Sequence, residues 1–146
     1  MKVHFIAVIV FVFFGAYLSW AQESYVGIVK NVTGEVLIFR GEETITVIRG
    51  LPLQATDKVV TGSDSTSGIV FSDGTLLSIG PSSVLELEQY VFEPEAEHYD
   101  FSLYVKKGQA VYSSGKISKL APEKIEVKTP RATLGVRGTR FIVDVN

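Results

Sequence analysis

Between Gly68 and Pro81 the chain reads GIVFSDGTLLSIGP: an apolar run, the pair Asp73-Gly74, a second apolar run, then Gly80-Pro81. A two-residue type I′ turn needs positive φ at both central positions, which glycine allows freely and aspartate tolerates. Asp-Gly between β-branched and aromatic residues is therefore a hairpin signal. The spacing predicts two short strands joined at a turn of Asp73 and Gly74. Ile69, Val70 and Phe71, and then Leu76 and Leu77, follow one another without alternation. The hairpin is thus expected to be covered on both faces and to lie at the centre of the core.

The rest of the chain repeats this grammar. Tyr25 to Val32, Gly34 to Arg40, Thr44 to Arg49, Lys58 to Thr61, Ser83 to Tyr90, Tyr99 to Lys106, Gln109 to Ser113, Ile125 to Lys128 and Phe141 to Val145 all read as strands. In Ser83 to Tyr90, Leu85 and Leu87 are expected on one side, with Val84, Glu86, Glu88 and Tyr90 on the other. Lys107-Gly108 reads as a turn, Phe92 to His98 as an exposed acidic connection, and Ser114 to Pro122 as a polar loop. Phe39, Phe71, Phe101 and Phe141 are expected in the core. No window shows helical periodicity with a capping signal, so the fold class is all-β, with ten or so short strands. Glycines at 27, 34 and 41 and at 62, 68, 74 and 80 recur at short intervals, which suits stacked β-coils. A β-sandwich or open barrel accounts for the same punctuation.

Residues 1–21 have the plan of an export signal: Lys2, an apolar stretch from Phe5 to Leu18, then Ser19-Trp20-Ala21 with small residues at the cleavage positions. The apolar stretch is shorter than the roughly 20 residues of a bilayer-spanning helix, so cleavage after Ala21 is expected in preference to a retained anchor. Residues 22–146 then form one domain, of a size that buries a core without staples, and it contains no cysteine. That combination suits a bacterial periplasm or surface better than an animal secretory route. The domain holds 13 basic against 16 acidic side chains, a balance of −3 that gives a nucleic acid no basic stripe to follow.

Lys128 to Val143 reads KTPRATLGVRGTRFIV. Pro130 cannot donate to a ladder, Gly135 and Gly138 allow sharp backbone excursions, and Arg131, Arg137 and Arg140 stand in an otherwise small or apolar run. With GIVKNVTGEVLIFR, Thr61-Gly62, SGIVFSDGTLLSIGPSS, LYVKKGQAV and TPRATLGVRGTRF in this order, the chain resembles the FecR family from Gly27 to Phe141. The resemblance implies an envelope domain of β-solenoid-like build, a sensory or interaction module and not an enzyme. Best-known members place it in the periplasm as part of an iron-uptake regulator. They add a segment that binds a sigma factor, a membrane helix and a C-terminal domain that meets an outer-membrane transporter. None of these is seen in this sequence, which is expected to be a stand-alone member without the iron-signalling role.

Side-chain chemistry leaves little room for catalysis. His98 is the only imidazole after the signal, too few for a zinc site, and it lies in the acidic connection, a poor place for a Ser-His-Asp triad. Asp57, Asp64 and Asp73 lack the spacing of a calcium loop. Glu93, Glu95 and Glu97 read as a solvated connection that keeps an edge from pairing. Arg137 is read as a partly buried structural arginine whose fork bonds a carboxylate such as Asp73 or backbone carbonyls at a coil edge, or as part of a partner-binding patch with Arg131, Gly135, Gly138, Thr139 and Arg140. The expected function is to bind an envelope protein, in sensing or scaffolding, with no cofactor and no metal. A glycan-binding face built on Tyr90, Tyr104 and Tyr112 is the alternative, and a carboxylate-dependent hydrolase the third reading.

Overall fold

A computed structural model describes residues 24–146, so the expected export signal lies outside the described residues. The strands are β1 (Tyr25–Thr33), β2 (Val36–Arg40), β3 (Glu43–Thr46), β4 (Pro52–Gln54), β5 (Lys58–Thr61), β6 (Thr66–Phe71), β7 (Leu76–Ile79), β8 (Val84–Glu93), β9 (His98–Ser113), β10 (Ile125–Lys128), β11 (Thr133–Gly135) and β12 (Arg140–Val145). One α-helical turn, α1 (Ile117–Leu120), and two 3-10 turns, Pro94–Ala96 and Pro122–Lys124, interrupt them among the described residues. The sheet order is β3-β2-β5-β8-β9-β7-β6-β1-β4, with β10 and β12 also paired to β9 and β11 paired to β10. Every ladder is antiparallel except β9 with β10. The all-β expectation holds as a sheet curled into an open half-barrel. Coils stacked on one another would need parallel ladders from turn to turn, and these ladders do not supply them.

Strand β9 holds the two halves together. Its first part pairs with β8 and β10, and from Gly108 onward it pairs with β7 and β12. The expected turn at Lys107-Gly108 is a bend within one strand. Gly108 has φ +89°, and a Cβ there would run into Ser83, 2.6 Å from its Cα, so only glycine lets β9 cross so close to the start of β8. Beside it the ladder slips: Val84 faces Lys107 and Leu85 faces Val105, which leaves Lys106 as the extra residue of a bulge.

A second bulge corrects the reading of β8. Leu87 faces Leu103 while Gln89 faces Ser102, so Glu88 is the extra residue and the alternation changes phase. Tyr90, expected on the side of Glu86 and Glu88, therefore turns inward and is buried with Leu85 and Leu87.

The central hairpin forms, with two differences. Its loop has three residues, Ser72, Asp73 and Gly74: the Phe71 amide donates to Thr75 O at 2.9 Å and the Gly74 amide to Phe71 O at 2.9 Å. Gly74 alone in this loop has positive φ, +85°, which is the type I turn followed by a left-handed residue and not the I′ turn. The hairpin also alternates. Ser67, Ile69, Phe71, Leu77 and Ile79 are buried, whereas Val70 is half-buried and Leu76 exposed, so one face is covered and the other is not.

Aromatic rings tie the core across strands. Phe71 stacks on Tyr90 with centroids 5.2 Å apart and meets Phe101 edge-on at 5.2 Å. Phe101 meets Tyr112 at 5.6 Å, and Tyr112 stacks on Phe141 at 4.8 Å. Phe71 and Phe101 are fully buried and Phe141 packs against the core, but Phe39 lies on the outer face of β2 and is 37% exposed, contrary to expectation. The expected loop from Ser114 contains α1, whose Ile117 is completely buried.

Candidate functional site

The terminal segment is built as a hairpin followed by a return to β9. The Thr129 amide donates to Ala132 O at 2.8 Å, and Thr129 Oγ1 accepts the amides of Ala132 at 3.0 Å and Arg131 at 3.3 Å. This leaves Pro130 and Arg131 at the tip between β10 and β11, in a turn fastened by the threonine hydroxyl. Ile125 and Val127 of β10 and Val136 after β11 are buried and hold the segment down. The Ser114 amide donates to Thr139 O at 2.8 Å and brings the chain back to β9, where Arg140 pairs in register with Ser113.

Arg131, Gly135, Arg137, Gly138, Thr139 and Arg140 are all exposed. β11 pairs only with β10, so its other edge is open. Among the described residues no carboxylate lies within ion-pair distance of Arg131, Arg137 or Arg140. A shallow hollow of about 350 Å³ lies beneath, lined by Glu123, Ile125, Glu126, Thr133, Val136 and Arg137 among others.

Arg137 and Asp73 are not brought together. The Asp73 carboxylate is buried and accepts from the Thr75 amide at 3.1 Å, Thr75 Oγ1 at 2.8 Å, the Tyr90 hydroxyl at 3.0 Å and the Ile117 amide at 3.1 Å. With these four donors it joins the hairpin, β8 and α1. Gly115 passes close over it: a Cβ there would lie 2.7 Å from Asp73 Oδ2. The arginine with the buried partner is Arg40. Its Nε donates to Asp57 Oδ1 at 2.9 Å and its Nη2 to Asp57 Oδ2 at 2.8 Å and Pro52 O at 3.0 Å, and Asp57 is wholly buried. Nothing in FRGEE or ATDKV announces this pair, because its partners are 17 residues apart.

The other candidates are scattered. Asp57 and Asp73 belong to these two separate networks and Asp64 is exposed. His98 is exposed at the start of β9, with Nδ1 3.3 Å from Glu93 Oε2. Tyr90 and Tyr112 are buried, and burial raises both hydroxyls above their ordinary range, with the Asp73 carboxylate adding to it. They cannot face a glycan with Tyr104, which overturns that surface. On the outer face Lys128 reaches Glu88 at 2.8 Å; this bond lowers the Glu88 carboxyl and raises the Lys128 ammonium from their ordinary values.

A family model described as FecR protein matches residues 57–146, well over half of the chain, from the buried Asp57 through the terminal segment. No curated protein and no solved structure matches.

Proposed function

The chain belongs to the FecR family, and on that premise we propose that it is an exported module that binds a partner protein in the bacterial envelope. Family membership suggests a signalling or sensing domain, and the family is a non-enzymatic signalling family whose domains are periplasmic in its members. Among the described residues no helix is long and apolar enough to cross a membrane. The observation that carries the reading is the terminal segment, where β11 leaves one edge open and the exposed Arg131 and Arg137, without an acid partner, flank it in the chain, followed by the exposed Arg140 at the start of β12. An open edge offers unpaired backbone groups for strand addition, and arginines beside it select an acidic partner.

The test is cross-linking and co-purification of tagged protein from its own cells, with sequencing of its N-terminus. The expected result is a start after Ala21 and one discrete envelope protein, lost in the variant Arg131→Ala, Arg137→Ala, Arg140→Ala while thermal stability is kept. Recovery of the same protein by that variant would move the binding surface elsewhere. Correctly exported protein that brings down nothing would end the reading.

A further inference from the structure

On the outer face of the sheet, strands β2, β5, β8 and β9 border an open, shallow hollow of about 520 Å³. It is lined by Phe39, Val60, Val84, Lys58, Lys106 and Lys107, with Asn146 at its margin. The register explains the lining. Leu37, Val60, Val84 and Lys107 face one another across four adjacent strands, and Phe39, Lys58 and Glu86 form the next row. On a regular strand Lys106 and Lys107 would point to opposite faces. The bulge that sets both against Val84 aims two consecutive lysines at one hollow, the re-aiming that bulges perform beside binding sites.

The charge there is one-sided in an acidic protein. Lys58 has Glu86 at 3.6 Å, but among the described residues no carboxylate lies within ion-pair distance of Lys106 or Lys107. An exposed phenylalanine and two half-buried valines form the apolar wall. Ligand sites run to roughly 300–1,000 Å³ and combine apolar walls with a few placed polar groups, and this hollow has that size and that mixture. The geometry points to a second site, which takes a small amphiphilic anion: an apolar body against Phe39, Val60 and Val84, and a carboxylate or phosphate between Lys106 and Lys107. The site shares no residue with the terminal segment, so it stands or falls separately from partner binding.

Amide chemical-shift titrations of the full-length processed protein with octanoate, acetate and octanamide test it. Octanoate is expected to move the amides of Phe39, Val60, Val84 and Lys107 saturably, whereas acetate and octanamide leave them nearly still. The variant Lys106→Gln, Lys107→Gln is expected to bind octanoate about fivefold to tenfold more weakly, since each exposed ion pair adds little, with an unchanged melting temperature. Phe39→Ala is expected to weaken octanoate as well. Equal shifts with acetate would reduce the hollow to an adventitious ion only. Equal binding of octanamide, or octanoate shifts centred on Ile28 and Leu76 of the other half, would overturn the site. Sedimentation with phosphatidylglycerol vesicles without an octanoate response would reassign the lysines to a membrane surface.

Discussion

The Tyr90 hydroxyl donates to Asp73 Oδ1 at 3.0 Å and accepts the Asp73 amide at 2.9 Å, so one phenol completes both the carboxylate and the backbone of the central turn. A loop that would otherwise be one hairpin's affair is thereby locked to β8, and through the Ile117 amide to α1. Tyr90→Phe keeps the ring stacked on Phe71 and removes both bonds, leaving a buried amide unpaired. The expected loss is about 1–3 kcal/mol, read from the urea midpoint. An unchanged midpoint would mean that the hairpin does not depend on this hydroxyl.

Alkali should unfold the domain. The folded hydroxyls of Tyr90 and Tyr112 titrate above their ordinary value of 10.0, because burial disfavours the phenolate. A raised folded value gives stability that is fully present below about pH 10 and is lost as pH rises beyond it, at up to ~1.4 kcal/mol per pH unit for each tyrosine. Urea midpoints between pH 8 and 11 should be flat and then fall, and Tyr90→Phe should make the fall shallower. A flat profile to pH 11 would contradict the burial of both hydroxyls.

Arginines at two positions should behave in opposite ways. Arg40→Ala strands the buried Asp57 carboxylate and should cost about 3 kcal/mol. Arg137→Ala touches an exposed side chain and should change stability by no more than about 0.5 kcal/mol. Paired thermal melts decide it; a large loss at Arg137 would return that residue to a structural role.

Glycine substitutions should separate backbone strain from collision. Gly74 (φ +85°) and Gly108 (φ +89°) both have left-handed backbones, but nothing lies within 4 Å of a Cβ at Gly74, whereas Ser83 blocks one at Gly108. Gly74→Ala should cost about 1 kcal/mol, from the left-handed backbone alone. Gly108→Ala should cost clearly more and should disturb the amides of Ser83 and Lys107. Equal costs would show that β9 can move away from β8.

Local pattern made the strands legible. β5 and β10 match their expected bounds because short β-branched runs between turn residues leave little freedom. The phase of Tyr90 and the continuity of β9 were not legible, because a bulge is set by the partner strand and leaves no mark in its own residues. α1 is a single turn, too short to show a period, and its burial comes from docking on Asp73. Glycines on both sides of Arg137 suit a close backbone approach as well as an exposed turn, and the sequence does not separate the two. Gly135 has open space around it and so does Gly138, so those glycines serve an exposed segment and not a close approach. The terminal arginines were visible as residues; what the fold adds is that all three are exposed and that β11, between Arg131 and Arg137, keeps one edge open. The lysine hollow was not visible at all, since it depends on register across four strands.

β9 carries ladders for both halves of the sheet, so the two halves are joined through one continuous strand. A peptide-bond cut at Lys107 or Gly108 would sever the strand that joins the two halves, whereas one in the exposed Glu95-Ala96 link would fall between β8 and β9. The same strand receives β12 at Gly108, one residue from the lysines that rim the hollow. Strand β12 thus fastens the terminal segment to the same strand whose bulge shapes the hollow, although the two share no side chain.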